Sequence, residues 1–178
     1  RQKIDRRLSE LSALPKMKSD SSIAQLLKEK GISVVAHIKS IKDIEDRDIE
    51  EKDITEDNIE KLRNMVLPVF EEKKISEMEE LILKAREDGD SIGGVIEVMA
   101  TGVPAGIGDP FFESMESELS RMIFSVPATK GIEFGAGFDI VRMTGYEAND
   151  EMYYDADGKV KSYTNNNGGI TGGITNGM

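Results

Sequence analysis

Asparagine and glycine crowd into residues 164–177, Thr-Asn-Asn-Asn-Gly-Gly-Ile-Thr-Gly-Gly-Ile-Thr-Asn-Gly, where Gly-Gly-Ile-Thr occurs twice in tandem. Backbone N–H groups in such a run can come close against a planar ring or an anion. Asn amides both donate and accept hydrogen bonds. Composition alone favours a flexible linker, but Ile170 and Ile174 recur at a fixed spacing that a linker does not need. The pattern is neither Gly-x-Gly-x-x-Gly nor a P-loop, so nucleotide-fold readings fail. Asn149-Asp150-Glu151 could supply a general acid or base; the alternative is a solvated turn. His37, the only histidine, reads as a polar-face residue of a strand. Ten acids lie within 42–60. They lack the Asp-x-Asp-x-Asp-Gly spacing of a cation loop, and a solvated loop and helix start is preferred over a cation site or docking surface.

The elements that would position these groups follow from periodicity. Ile4, Leu8 and Leu11 predict a helix over 3–13. Residues 21–30 predict a second helix, capped by Ser21 or Ser22 and ended by Gly31. Residues 32–41 alternate, with Ile32, Val34, Ala36 and Ile38 on one face and Ser33, Val35, His37 and Lys39 on the other. That is a half-buried strand. Thr55 opens a short helix carrying Ile59, Leu62 and Met65. Ser76 and Glu79 match a capping box for a helix over 76–87 with Met78, Leu81, Ile82 and Ala85 as its apolar stripe. A strand over 93–101, a Gly/Pro loop and a helix over 112–124 come next. Strands are expected at 132–134, 138–144 and 152–154, with Asp157-Gly158 as a turn. Helices interleave with hairpin signals, so the class is α+β.

At 178 residues the chain is long enough for one domain with a sizeable core. Hydrophobic residues make up 38% and charged residues 32%, as in a soluble protein. A net charge of −11 argues against a nucleic-acid or anionic-membrane surface. Cysteine is absent, which rules out disulfides and thiolate metal sites and fits an intracellular protein. The start, Arg-Gln-Lys-Ile-Asp-Arg-Arg-Leu, has no signal-peptide core. The most apolar stretch, around 92–107, holds Glu97 and five glycines or prolines, and cannot span a membrane. Both ends look like cuts, so the chain reads as a fragment of a longer protein.

All but one of the 17 glycines lie from Gly89 onward, several in fixed phrases. In order these are Gly89-Asp90-Ser91-Ile92-Gly93-Gly94, then Gly-Val-Pro-Ala-Gly-Ile-Gly-Asp-Pro at 102–110 and Ser-Val-Pro-Ala-Thr-Lys-Gly at 125–131. Gly137-Phe138, Asn149-Asp150-Glu151 and the Gly-Gly-Ile-Thr repeat complete the series. The series resembles the chorismate synthase family, whose members carry the same phrases in the same order. The resemblance covers residues 21–178 well and 1–20 weakly.

The resemblance implies a sandwich with antiparallel sheets at the centre and helices outside. Residues 21–178 are then part of a single α+β domain, with a gap expected between residues 20 and 21. It implies a lyase reaction, the 1,4-anti elimination of phosphate from 5-enolpyruvylshikimate 3-phosphate to give chorismate, with reduced FMN required. It places Pro127, Ala128, Asn165 and Gly172 against the flavin. Val126 is a mild departure from the family pattern. Gln2–Arg7 resembles an early family segment, which would make Arg7 a phosphate- or nicotinamide-contacting arginine. Whether NADPH reduces the flavin stays open. A cytoplasmic homotetramer acting on a small molecule, with no nucleic-acid or membrane partner, is also implied. No residue of this chain is assigned to catalysis and none to a metal. The family's two catalytic histidines lie in Ser-x-Ser-His-Gly and Arg-Pro-Gly-His phrases that do not occur here, so the chain alone is expected to be inert. Two alternatives remain: a non-catalytic flavin- or phosphate-binding module, and an interaction protein built on the acidic 42–60 surface.

Overall fold

The computed structural model describes residues 22–177. Arg7 and the helix expected over 3–13 lie outside them. The chain divides into two compact units, one ending at Thr101 and one starting at Gly102.

In the first unit, α1 (Ser22–Glu29) ends at Gly31, whose φ is +75°. The N–H of Gly31 donates to the Lys28 carbonyl and that of Ile32 to the Leu27 carbonyl, both at 2.9 Å. This is the paired bonding of a Schellman cap, which needs a left-handed residue. The same cap closes α3 (Lys74–Glu87) at Gly89, with bonds to Arg86 and Ala85. Between them, α2 (Glu56–Asn64) is capped by the Thr55 side chain, which accepts from the Asn58 N–H. The capping box expected of Ser76 and Glu79 does not form. The helix already starts at Lys74, so Ser76 is an interior residue.

The sheet is antiparallel, in the order β2 (Ile44–Glu45), β1 (Ser33–Ile41), β3 (Gly94–Thr101). Val35 pairs with Met99 and His37 with Glu97; a register shift falls between Ile38 and Ser40. The buried face of β1 differs from the all-apolar one. Val35 and His37 are buried and Ala36 is exposed. Opposite Ala36 and Ile38, the β3 residues Val98 and Ile96 are also exposed. Val35 packs with Ile49 and Leu62, while Ile41 packs with Val69 and Met78. The helices thus bring their stripes to the face that carries the histidine.

The second unit holds α4 (Met115–Ile123) and two short antiparallel hairpins. α4 starts later than expected because the Ser114 side chain caps it, accepting from the Ser117 N–H at 3.2 Å. The strands expected at 132–134 and 138–144 do not form. Gly135 and Gly137 have φ of +58° and +52°, which turns the chain out of the extended region. Gly137–Arg142 winds instead into a 3₁₀ turn. β4 (Met152–Tyr154) and β5 (Val160–Ser162) pair around the expected Asp157-Gly158 turn. The Asp155 carboxylate fastens this turn by accepting from the N–H groups of Asp157 and Lys159. β6 (Ile170–Thr171) and β7 (Ile174–Thr175) form the last hairpin. Every strand pair is antiparallel and helices stand between them, which is the α+β class.

Candidate functional site

The Gly-Gly-Ile-Thr repeat is a hairpin, not a linker. Gly172 and Gly173 are its two loop residues, with φ of +63° and +85°. Two successive positive φ values are what a two-residue turn between twisted strands requires. The spacing of the repeat places Ile170 and Ile174 in the two strands.

One end of this hairpin is pinned to the 102–110 loop. The Thr175 hydroxyl donates to the Pro104 carbonyl at 2.7 Å and accepts from the Ile107 N–H at 2.9 Å. Thr175 also exchanges backbone bonds with Gly106 and Ile107. A Cβ on Gly108 would overlap the Gly173 carbonyl oxygen. The Met115 N–H donates to that same carbonyl, which ties in α4.

The other end is held by Asp150, which is buried. Its Oδ1 accepts from the Thr164 hydroxyl and the Asn166 N–H, both at 2.7 Å. Its Oδ2 accepts from the Asn167 N–H and Nδ2, both at 2.9 Å. Burial pushes this carboxyl's pKa up, and the four hydrogen bonds more than reverse the effect, so it lies below the usual carboxylate range. Gly135 lies beneath the same loop, where a Cβ would overlap the Asn166 carbonyl oxygen and the Gly168 nitrogen. The Ala136 N–H donates to that Asn166 carbonyl at 2.9 Å. Three separated phrases, 135–138, 147–151 and 164–168, therefore close on one another.

Asn165 is exposed beside these anchored neighbours. Gly172 is exposed at the hairpin tip, and a Cβ there would meet nothing. Pro127 and Ala128 are exposed beyond α4. Ala128 holds φ of +71°, a conformation that costs a residue with a Cβ about 1–2 kcal/mol. Among the described residues, no hydrogen bond joins Pro127 or Ala128 to Asn165 or Gly172. Asn149 and Glu151 are exposed, whereas Asp150 is neither solvated nor free to move a proton, because its four acceptor positions are in use.

Sequence reasoning misplaced His37. Far from lying on a polar face, it is fully buried. Its Nδ1 lies 2.9 Å from Asp46 Oδ2 and its Nε2 lies 2.8 Å from Glu97 Oε2. Phe70 packs against the ring in a T-shaped contact at 5.0 Å, and the Arg47 guanidinium lies over the Phe70 ring, 4.2 Å from its centroid. Asp46 also accepts from the N–H groups of Phe70 and Glu71. Burial raises its pKa, and these bonds with the one to His37 bring it net below the ordinary value. Asp53 is buried too, in a two-pronged pair with Arg47 that holds its pKa at about 2. The acidic run is thus partly structural, not a purely solvated loop. The one hint in the sequence was Glu97, a single acid in an otherwise apolar strand; that it faces the histidine is set by the β1–β3 register. Among the described residues, no group of acids and histidine has the arrangement of a metal site, and no helix is long and apolar enough to cross a membrane.

The chorismate synthase family model matches residues 18–178. The chorismate synthase of Methanobrevibacter smithii is 44% identical over 154 residues, covering 86% of this chain and 41% of that protein. That of Trichodesmium erythraeum is 39% identical over 147 residues, covering 83% and 39%. That of Methanocaldococcus jannaschii is 52% identical over 99 residues, covering 56% and 26%. A crystal structure of chorismate synthase superposes with a TM-score of 0.71 at 28% identity, covering 94% of this chain and 50% of that one. The chain spans about two-fifths of the length of the first two relatives. With the α+β class and the fold in agreement, this chain belongs to the chorismate synthase family.

Proposed function

We propose that this chain is part of an enzyme that converts 5-enolpyruvylshikimate 3-phosphate to chorismate, and that it supplies one wall of the reduced-FMN site. The observation that carries the reading is the convergence of the family's separated phrases on a single Asn/Gly loop. An isolated linker would not need Asp150 and Thr175 to pin it from both sides.

The residues present fit a flavin in kind. Asn165 offers an exposed amide that can donate and accept at the polar edge of a heterocycle. Gly172 leaves open space where a planar ring could lie against backbone. Ala128, held in a strained conformation, and the adjoining Pro127 would present a rigid apolar edge. Arg7 would serve a phosphate or the nicotinamide cofactor. A bound reduced flavin supplies electron density toward the breaking C–O bond. The reaction removes phosphate from C3 and a proton from C6, with no net redox change. Of the basic groups in the second unit, Arg121 and Arg142 are already paired with Glu118 and Asp139. Moving the proton would need the family's histidine phrases, which do not occur in this chain, and neutralising the departing phosphate would need cationic groups positioned around it.

The same reading makes residues 21–178 part of one domain of a cytoplasmic homotetramer, with NADPH as one source of electrons for the flavin. The test is phosphate release by the full-length protein, with chemically reduced FMN, under anaerobic conditions. Stoichiometric phosphate and chorismate are expected; the absence of both refutes the assignment.

A further inference from the structure

We infer that Asp150 is a positioning residue of the flavin loop: it turns the N–H groups of Asn166 and Asn167 inward and leaves Asn165 facing out as the ligand-contacting amide. The inference rests on the proposed flavin reading and deepens it.

The loop has two ways to bind a ligand. It could form an anion nest from its successive backbone N–H groups, or it could present side-chain amides. Asp150 decides between them. Its carboxylate occupies the N–H groups of Asn166 and Asn167 and the Asn167 side-chain amide. Those donors cannot also cradle a phosphate. The Asn166 side chain is turned back as well, donating to the Glu147 carbonyl at 3.3 Å. Of the three consecutive asparagines, Asn165 alone is exposed and keeps its amide free of hydrogen bonds within the described chain. Its own carbonyl accepts from the Gly168 N–H at 3.1 Å, so the backbone on both sides is fixed. The flavin's ring, not its phosphate, is the part this loop is built to meet.

Asp150 is suited to this task because of what surrounds it. It is buried, and among the described residues no cation lies within ion-pair distance. All its charge is spent on neutral loop donors. Charge-assisted bonds of this kind are the strong ones, so the loop is preorganised before any ligand arrives. Glu151, the neighbouring acid, is exposed and makes no such contact through its side chain.

The experiment uses the full-length protein and titrates reduced FMN into Asp150→Asn, Asn165→Ala and the double variant. Asp150→Asn turns one acceptor oxygen into an NH₂ group that must face N–H donors. It should weaken flavin binding at least tenfold, and Asn165→Ala should do the same. The double variant should be no more than about twofold worse than the weaker single one, because both act through one contact. A merely structural Asp150 would instead give additive losses. Should Asp150→Asn fail to fold, Thr164→Val removes a single donor from the carboxylate. It should weaken binding several-fold with an unchanged circular dichroism spectrum. If Asn165→Ala weakens binding while Asp150→Asn and Thr164→Val do not, the positioning role is refuted and the flavin reading stands. If Asn165→Ala leaves flavin affinity unchanged, the flavin reading of the loop falls and the positioning role falls with it.

Discussion

Replacing His37 by leucine should loosen the first unit far more than an average core substitution. The imidazole is fully buried and bridges two carboxylates, one on the segment after β2 and one on β3. Leucine keeps most of the volume but donates nothing. Asp46 would keep the Phe70 and Glu71 N–H bonds, and Glu97 would keep the Ile49 N–H bond at 3.1 Å. Removing one partner of a buried charged network costs about 3–5 kcal/mol. The surviving bonds place this case near the lower bound, about 3 kcal/mol, against a total of about 5–15 kcal/mol for a typical domain. Native-state hydrogen exchange in the full-length protein reads this locally. The amides of Ile38, bonded to the Pro68 carbonyl, and Phe70, bonded to Asp46, are the reporters. Their exchange should accelerate by about a hundredfold, as roughly 3 kcal/mol implies. The Thr175 amide, in the other unit, should change little. An acceleration below about threefold at both reporters would mean that packing, not the hydrogen-bonded histidine, holds this region, and the reasoning would fail.

Gly172→Val should weaken flavin binding more than folding. A Cβ there meets nothing within the chain, so the folding cost is limited to the positive φ, about 1–2 kcal/mol. A flavin titration beside a melting curve separates the two; equal losses would make Gly172 a turn residue only. Gly108→Ala should behave oppositely and disrupt the 102–110 loop itself, since its Cβ would overlap the Gly173 carbonyl; a wild-type melting curve would contradict the close approach. Acid should destabilise the protein in a defined window. Asp53 is lowered from 3.8 to about 2, chiefly by its hydrogen bonds with Arg47, and Asp46 and Asp150 are lowered as well. A depressed folded pKa stabilises above the unfolded value and is lost as pH falls through the folded one. Stability should therefore drop from about pH 4 toward pH 2, and Asp53→Asn should flatten the slope. A chain of these residues alone should form no chorismate above background with reduced FMN and substrate, a result that a sensitive product assay can overturn.

Much of the local architecture was legible in the chain. Gly31 and Gly89 end their helices because a left-handed residue is needed there, and a glycine after an apolar stripe announces it. The ordered Gly/Asn phrases identified the family without any structure. The α+β class followed from hairpin signals set among helices. Other features depended on contacts between residues far apart in sequence. Alternation in β1 could not say which face the helices would cover, and the choice went to the face bearing Val35 and His37 because Leu62 and Met78 bring their stripes to that side. Sequence spacing cannot reveal that His37 meets Glu97, 60 residues away. Nor can it show that Asp150 binds a loop 14–17 residues later, making a carboxylate that looked catalytic or solvated into an anchor. The strands expected at 132–134 and 138–144 were lost for the same reason. Gly135 must pass against the Asn166 carbonyl, and that close approach exists only once the distant loop is in place. Propensity and periodicity act over a few residues, so they determine caps, turns and faces. Burial and hydrogen-bond satisfaction act through space, so tertiary structure alone decided which polar groups became buried.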